Sequence, residues 1–333
     1  MRTKKIMKKF IDVRFMYLWS AVVMFNAIGL AQTMAKQDSV ILNAGECNIY
    51  GTLTVPQTTE KIPVALIIAG SGPTDRNGNN PMMTNNSYKM LSDSLSRHGI
   101  ATLRYDKRLI AQSVCQQTEE QLRFDDYVKD ARGWIEYLAN KEQFSEIVVI
   151  GHSEGSLIGL VAGEDNPKVS KFISLAGVGV SADVILKEQL TKQLIGLPDS
   201  LRSQIFSYID QLKEGNLLEG VPPTLYSLFR PSVQPYMISW FKYNPQAEIA
   251  TLKIPTMILQ GDMDIQVSEK EAELLHQANP KSQKFIIKGM NHVLKNSQST
   301  NINEQGSDSY NNPNTPINKE LVERIVEFIK LAN

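Results

Sequence analysis

Ile147-Val148-Val149-Ile150-Gly151-His152-Ser153-Glu154-Gly155-Ser156-Leu157-Ile158-Gly159-Leu160 is the stretch on which the reading of this chain turns. Its first four residues form an unbroken apolar run, as expected of a strand covered on both faces. Gly151 to Gly155 then has the form G-x-S-x-G, and a small, apolar, helix-compatible stretch follows. Strand, sharp turn and helix in that order put the serine on a strained nucleophile elbow. Glycines flank such a serine because neighbouring backbone passes too close for Cβ atoms. The helix that starts there turns free N–H groups and its positive dipole end toward the serine. Pentapeptides of this form also arise by chance, so the rest of the chain must supply a base and an acid.

The 333 residues are 42% hydrophobic and 21% charged, the profile of a folded chain and not of a disordered one. Met1–Arg14 carries six Lys/Arg and one acid, and Phe15–Ala31 is almost wholly apolar and uncharged. That pattern reads as a signal peptide over residues 1–31, with Gly29-Leu30-Ala31 before the cut and Thr33-Met34-Ala35 as a second candidate. A retained anchor is the alternative, since about 17 apolar residues can just span a bilayer. No Cys lies near the cleavage site to carry a lipid. The protein is therefore expected to be exported, periplasmic or secreted, touching membrane only through an uncleaved segment. Removing six basic residues and one acid takes Lys+Arg from 35 to 29 and Asp+Glu from 35 to 34, a net charge of −5. A nucleic-acid partner, which needs a basic face, is disfavoured. Cys47 and Cys115 are the two cysteines. Export permits a disulfide, but the sequence leaves their pairing open. Two Cys and scattered His residues offer no zinc-site spacing, so no metal is expected.

The remainder, 37–333, reads as one α/β domain. Val40–Leu42 and Asn48–Val55 alternate around Gly45, which predicts a hairpin. Val64–Ala69, Ile100–Tyr105, Ile147–Ile150, Phe172–Ala176, Ile254–Leu259 and Phe285–Ile287 predict further strands. Helical spacing marks Tyr88–Arg97, Phe124–Leu138, Glu269–Gln277 and about 317–331, the last with Thr315 as N-cap and Pro316 as its first residue. Strands alternating with helices mean a mostly parallel, doubly wound sheet. Residues 180–245 are helix-rich without a strand and look like an insertion over one end of the sheet. Residues 296–315, rich in Asn, Ser and Gln, predict a long mobile loop.

A serine hydroxyl needs a base, and the base needs an orienting group. In an open parallel sheet both project from loops at carboxyl ends of strands. His292, after Phe285-Ile286-Ile287, is the histidine so placed. His98 and His276 sit at helix ends, and His152 adjoins the serine without room to fold back on it. The acid follows Ile258-Leu259-Gln260, where Gly261-Asp262-Met263-Asp264 offers two carboxylates. Asp264 is preferred because it lies further into the loop; Asp262 would then hold the turn. Serine, acid, histidine is the chain order of an α/β-hydrolase. Oxyanion donors are expected from the backbone N–H of Glu154 and from Ser71, with Gly72 second, in the loop Ala69-Gly70-Ser71-Gly72-Pro73.

Gly70-Ser71-Gly72-Pro73-Thr74-Asp75-Arg76, Arg104-Tyr105-Asp106-Lys107-Arg108, the elbow, Gly261–Asp264 and Gly289-Met290-Asn291-His292 together resemble the α/β-hydrolase esterases. Within them the chain is most similar to bacterial carboxylesterases related to the serine aminopeptidase type and to acyl-CoA thioesterase-like hydrolases. The resemblance, over about 40–331, implies a sheet of about eight strands, a helical lid at about 180–245 and cofactor-free hydrolysis of acyl esters. Ala69 stands where the family often has His. Leu109-Ile110-Ala111-Gln112-Ser113 replaces the usual Gly-x-Gly-x-Ser, predicting a narrowed or reshaped pocket edge. Asp75, Arg76, Arg104, Asp106 and Arg108 are expected to form ion pairs beneath the site.

Lid residues Phe229, Tyr236 and Trp240 are expected to help line an apolar acyl pocket with Gly72. No basic cluster there suggests phosphate or coenzyme A. These features favour a short- to medium-chain acyl ester. A thioesterase-like hydrolase on the same fold is one alternative; a peptidase or amidase, another, would need acids for a free amine, with Glu214 and Glu219 the nearest candidates. A non-catalytic binding protein on the same scaffold is the remaining alternative.

Overall fold

The computed structural model describes residues 35–331 apart from 195 and 197, so the proposed signal segment lies outside the described residues. Among the described residues nine strands form one sheet: β1 (Lys36–Ala44), β2 (Cys47–Val55), β3 (Ile62–Ile68), β4 (Ala101–Tyr105), β5 (Val114–Cys115), β6 (Phe144–His152), β7 (Val169–Leu175), β8 (Thr256–Gly261) and β9 (Gln283–Ile287). Their order is β1-β2-β4-β3-β6-β7-β8-β9, with β5 paired to β2. The eight expected strands make this path, and the two-residue β5 is the addition. From β4 to β9 all neighbours run parallel, and β1 and β2 form the antiparallel hairpin, turning at Gly45 with φ 66°. Cys47 and Cys115, whose pairing the sequence leaves open, form a disulfide between β2 and β5.

The helices are α1 (Ser87–Arg97), α2 (Phe124–Ala139), α3 (Glu154–Gly163), α4 (Ala182–Gln193), α5 (Asp199–Lys213), α6 (Tyr226–Phe229), α7 (Gln234–Trp240), α8 (Pro245–Thr251), α9 (Glu269–Ala278), α10 (Ile302–Gln305) and α11 (Lys319–Lys330). β3 shows why its sequence is apolar throughout. Val64, Leu66 and Ile68 join the core under α2, α3 and α9, while Ala65 and Ile67 join the core under α1 and α11. Side chains alternate across a strand, so a sheet buried on both faces needs apolar residues at every position. The chain runs from β3 outward to β4, then returns to β6 on the other side of β3. This reversal is the topological switch point, where the loops after β3 and β6 part and open a crevice.

Two expectations need correction. The cap of α11 is Asn318, whose side chain accepts from Leu321 N at 3.0 Å. Thr315 instead donates to Asp308 O, and a bridge between Ile317 and Lys295 keeps the backbone extended beyond Pro316. Residues 296–315 are also packed where a mobile loop was expected. Asn301 caps α10, and buried Gln305 donates to Met263 O at 2.8 Å and Ser299 O at 2.7 Å. Buried Lys295 donates to Asn312 O at 2.6 Å. Polar side chains here satisfy backbone groups, so the loop needs no apolar pattern to fold.

Candidate active site

Ser153 follows β6 with φ 54° and ψ −123°, a conformation that non-glycine residues rarely adopt. Its N–H donates to Leu175 O at 2.9 Å, which holds the turn against β7. The glycine positions have a steric cause. A Cβ on Gly151 would lie 2.2 Å from Gly155 O, and one on Gly155 would lie 2.4 Å from Ile68 O. Glu154 is the first residue of α3, so its N–H has no partner within the helix.

His292 follows β9, and its Nδ1–H donates to Asp264 Oδ2 at 2.7 Å. The Asp264 side chain is fully buried, and its carboxylate accepts from Gln266 N, Val267 N and Gln260 Nε2 as well. Burial alone would raise its pKa. The neighbouring His292 imidazole and these hydrogen bonds outweigh burial and hold the carboxyl below its ordinary value. Asp262, the other candidate, accepts from Gly289 N at 2.6 Å and holds the turn between the two loops. Ser153 and His292 line one cavity of about 190 Å³ together with Ser71, Asn85, Tyr88 and Tyr310.

Residues that the sequence leaves aside hold this geometry in place. His152 is buried beneath the serine. Its Nε2–H donates to His292 O at 2.8 Å, and its Nδ1 accepts from Tyr88 O–H at 2.7 Å. Tyr88 in turn accepts from Gly70 N at 3.1 Å. Burial lowers the His152 pKa to about 3, so the imidazole is neutral and this bonding pattern persists through the neutral range. The chain Gly70–Tyr88–His152–His292 therefore ties the loop after β3 to the histidine loop. Because Gly70 N already has a partner, Ser71 N–H is the next donor in that loop.

Lys107 does the corresponding work on the other side of the turn. Its Nζ donates to Gly70 O at 2.7 Å and to Glu154 Oε2 at 2.8 Å, and lies 4.7 Å from the centre of the Tyr127 ring. The Glu154 carboxylate also accepts from Tyr236 O–H. Lys107 and Glu154 side chains are 1% and 3% exposed, so the charges meet in a low dielectric and neither has water as an alternative. Lys107→Met leaves the buried Glu154 without its cationic partner, and is expected to lower unfolding free energy by about 3–5 kcal/mol. Urea melts of both proteins check this, and a loss below about 1 kcal/mol would contradict it.

The other charged residues expected beneath the site are paired or capped. Arg76 pairs with Asp106 at 3.1 Å, Arg108 pairs with buried Asp130, and Arg104 donates to Asn77 Oδ1 at 2.5 Å. Asp75 caps its own turn at Asn77 N and Asn79 N. The bulky loop from Leu109 to Ser113 does not narrow the cavity, because Gln112 and Ser113 bond to Arg76 and Asp106 instead of facing Ser153.

The lid residues are also elsewhere. Phe229 is 1% exposed inside the lid's own core. Tyr236 is held by Glu154, and Trp240 stacks on Phe124 at 6.5 Å with an 8° interplanar angle. Ser239 Oγ accepts from Phe124 N at 2.8 Å, and Arg230 donates to Glu119 at 2.9 Å. These aromatics anchor the lid to α2 and do not line the cavity. Gly72, with φ 73°, shapes the turn beside Ser71 and is likewise absent from the lining. Tyr310 and Asn85, which do line it, carried no signal in a polar stretch of sequence.

An elbow serine at the switch point of a mostly parallel sheet, facing an Asp-held histidine in the order Ser153, Asp264, His292, defines the α/β-hydrolase fold. Residues 83–203 match the family described as serine aminopeptidase, S33. Esterase EstD of Thermotoga maritima is 25% identical over 225 residues, 67% of this chain and 52% of that protein. The chain thus spans about half the length of that relative. Est1E of Butyrivibrio proteoclasticus, solved with ferulic acid, superposes with a TM-score of 0.58 at 16% identity, covering 87% of this chain and 96% of that one. An esterase of Pyrococcus furiosus gives a TM-score of 0.57 at 15% identity, covering 89% and 90%.

Proposed function

We propose that the protein is an exported serine carboxylesterase that cleaves short- to medium-chain acyl esters. The observation that carries the reading is the cavity shared by the strained Ser153 and by His292, with buried Asp264 fixing the imidazole. In this mechanism Ser153 Oγ attacks the acyl carbon while His292 Nε2 takes its proton. The N–H groups of Ser71 and Glu154 receive the developing oxyanion, each worth about 2.7–4 kcal/mol in the transition state. His292 then returns the proton to the departing alkoxide, and the alcohol leaves an acyl-Ser153 ester. Water attacks that ester with His292 again as base, releasing the acid and restoring the serine. Asp264 keeps the Nε2 lone pair aimed at the serine and stabilises the imidazolium.

The names of the relatives, Esterase EstD among them, favour esters over amides. The peptidase alternative lacks its acids, since Glu214 and Glu219 are both exposed and neither lines the cavity. Purified protein is expected to hydrolyse p-nitrophenyl acetate and butyrate and to leave an alanyl p-nitroanilide almost untouched. The reverse preference sinks the ester reading, and no turnover of either would revive the binding-protein alternative. Export rests on the basic-then-apolar N-terminus and is supported by the disulfide between Cys47 and Cys115. N-terminal sequencing of the mature chain, expected to start after Ala31 or Ala35, checks it.

A further inference from the structure

A second depression of about 850 Å³ lies next to the catalytic cavity and opens to solvent. The two share Met83, Gln266 and Tyr310 in their walls. Its outer wall comes from Met82, Ile265 and Ile302, with Gln189 of α4 facing in from the lid. Met82 is 86% exposed and Ile302 67%, so both leave apolar surface open beside the groove. No charged residue occurs among the described lining residues. The 296–315 segment, whose polar packing hides it from sequence patterns, supplies Thr300, Ile302, Gly306, Tyr310 and Asn311 to this wall.

We propose that this groove holds the alcohol half of the ester, and that the natural substrates are short acyl esters of bulky, uncharged alcohols. The inference rests on the esterase reading above and adds which half of the substrate goes where. Proton return fixes the side. The leaving oxygen must lie against His292 Nε2 to take its proton, so the alcohol extends from the histidine side of Ser153. Met83, Gln266 and Tyr310 line both spaces, so the groove opens off the cavity that Ser153 and His292 line. Gln266 N donates to Asp264 Oδ1 at 2.8 Å, and Asp264 bonds His292, while Gln266 Nε2 donates to Tyr310 Oη at 2.9 Å. The carbonyl oxygen must meet Ser71 and Glu154, so the acyl chain is left with the cavity of about 190 Å³. That volume lies below the roughly 300–1,000 Å³ typical of sites for drug-sized ligands, whereas the groove falls within it. Met, Ile and Tyr beside Gln, Thr and Asn suit an alcohol with apolar surface and neutral hydrogen-bonding groups. A carboxylate or phosphate there would lose water and find no cation.

Two esters that carry the same bulk on opposite sides test this. Turnover of 2-naphthylmethyl acetate, bulky in the alcohol, is compared with that of ethyl 2-naphthylacetate, bulky in the acyl half. The expected kcat/KM ratio favours the first by about 100-fold or more, near the upper range for filling one apolar pocket. Ile302→Asp, at an exposed position, is expected to reduce that ratio about tenfold, mainly through KM. Leu217→Asp, equally exposed but outside the groove, is expected to leave the ratio as it was. Preference for ethyl 2-naphthylacetate, or equal ratios in the two variants, overturns the assignment while p-nitrophenyl acetate turnover keeps the esterase reading intact. Absence of turnover with p-nitrophenyl acetate as well removes the esterase reading, and the assignment with it.

Discussion

Ser153→Ala is expected to lower kcat on p-nitrophenyl butyrate by on the order of 10⁵–10⁶, leaving only what binding and the oxyanion donors provide. The fold should survive, because the turn is held by backbone: Ser153 N to Leu175 O, and the closely packed Gly151 and Gly155. The same position makes a second outcome measurable. A φ of 54° with ψ −123° strains any residue that has a Cβ. Ser153→Gly should therefore be as inactive as the alanine variant yet more stable than the parent, by about 1–3 kcal/mol. Thermal melts and single-turnover rates on the three proteins check both. Activity of either variant within tenfold of the parent would rule out Ser153 as the acyl acceptor. A glycine variant less stable than the parent would mean that the turn stores no strain.

The elbow was legible because its requirements are local. Strand β6 must be apolar on both faces, and the turn must have glycines where Cβ atoms would strike Gly155 O and Ile68 O. The Asp264–His292 contact was legible because loops at the carboxyl ends of neighbouring parallel strands, β8 and β9, converge on one end of the sheet. Position in the loop already favoured Asp264 over Asp262, and the hydrogen bond from Gly289 N to Asp262, which no spacing reveals, shows Asp262 at the turn. Lys107 was missed among the charges of Arg104–Arg108. It lies just past β4, which ends at Tyr105, in a loop where strand alternation no longer applies, so it carried no periodic signal. Lid aromatics looked like pocket residues because composition cannot say which neighbour they cover. Phe124 and Tyr127 on α2 turn out to be those neighbours. The groove was illegible for the opposite reason. Its far wall folds through side-chain-to-backbone bonds of Asn, Ser and Gln, a pattern that resembles an unstructured loop.

Asp264→Asn is expected to lower kcat at neutral pH by about 10⁴ with little change in KM, and the cause is a tautomer, not a lost contact. The carboxylate has two differently occupied oxygens. Oδ1 accepts from Gln266 N and Val267 N, which only an acceptor can satisfy. In the variant the amide oxygen must occupy that place, which turns the NH₂ group toward His292 Nδ1 and Gln260 Nε2. An NH₂ group donates, so Nδ1 must become the acceptor and the imidazole proton moves to Nε2. That nitrogen then has no lone pair for the Ser153 proton. The NH₂ group also faces a second donor, Gln260 Nε2, which now sits 3.0 Å from Oδ2, adding a steric and electrostatic cost that Asp262→Asn does not incur. Asp264, held ionised well below neutrality, has no route to this arrangement in the parent. Asp262→Asn keeps an acceptor for Gly289 N and is expected to stay within tenfold of the parent. Steady-state kinetics of the two variants, with substrate saturation confirmed for each, decide the matter. A greater kcat loss in Asp262→Asn than in Asp264→Asn would exchange the roles of the two aspartates.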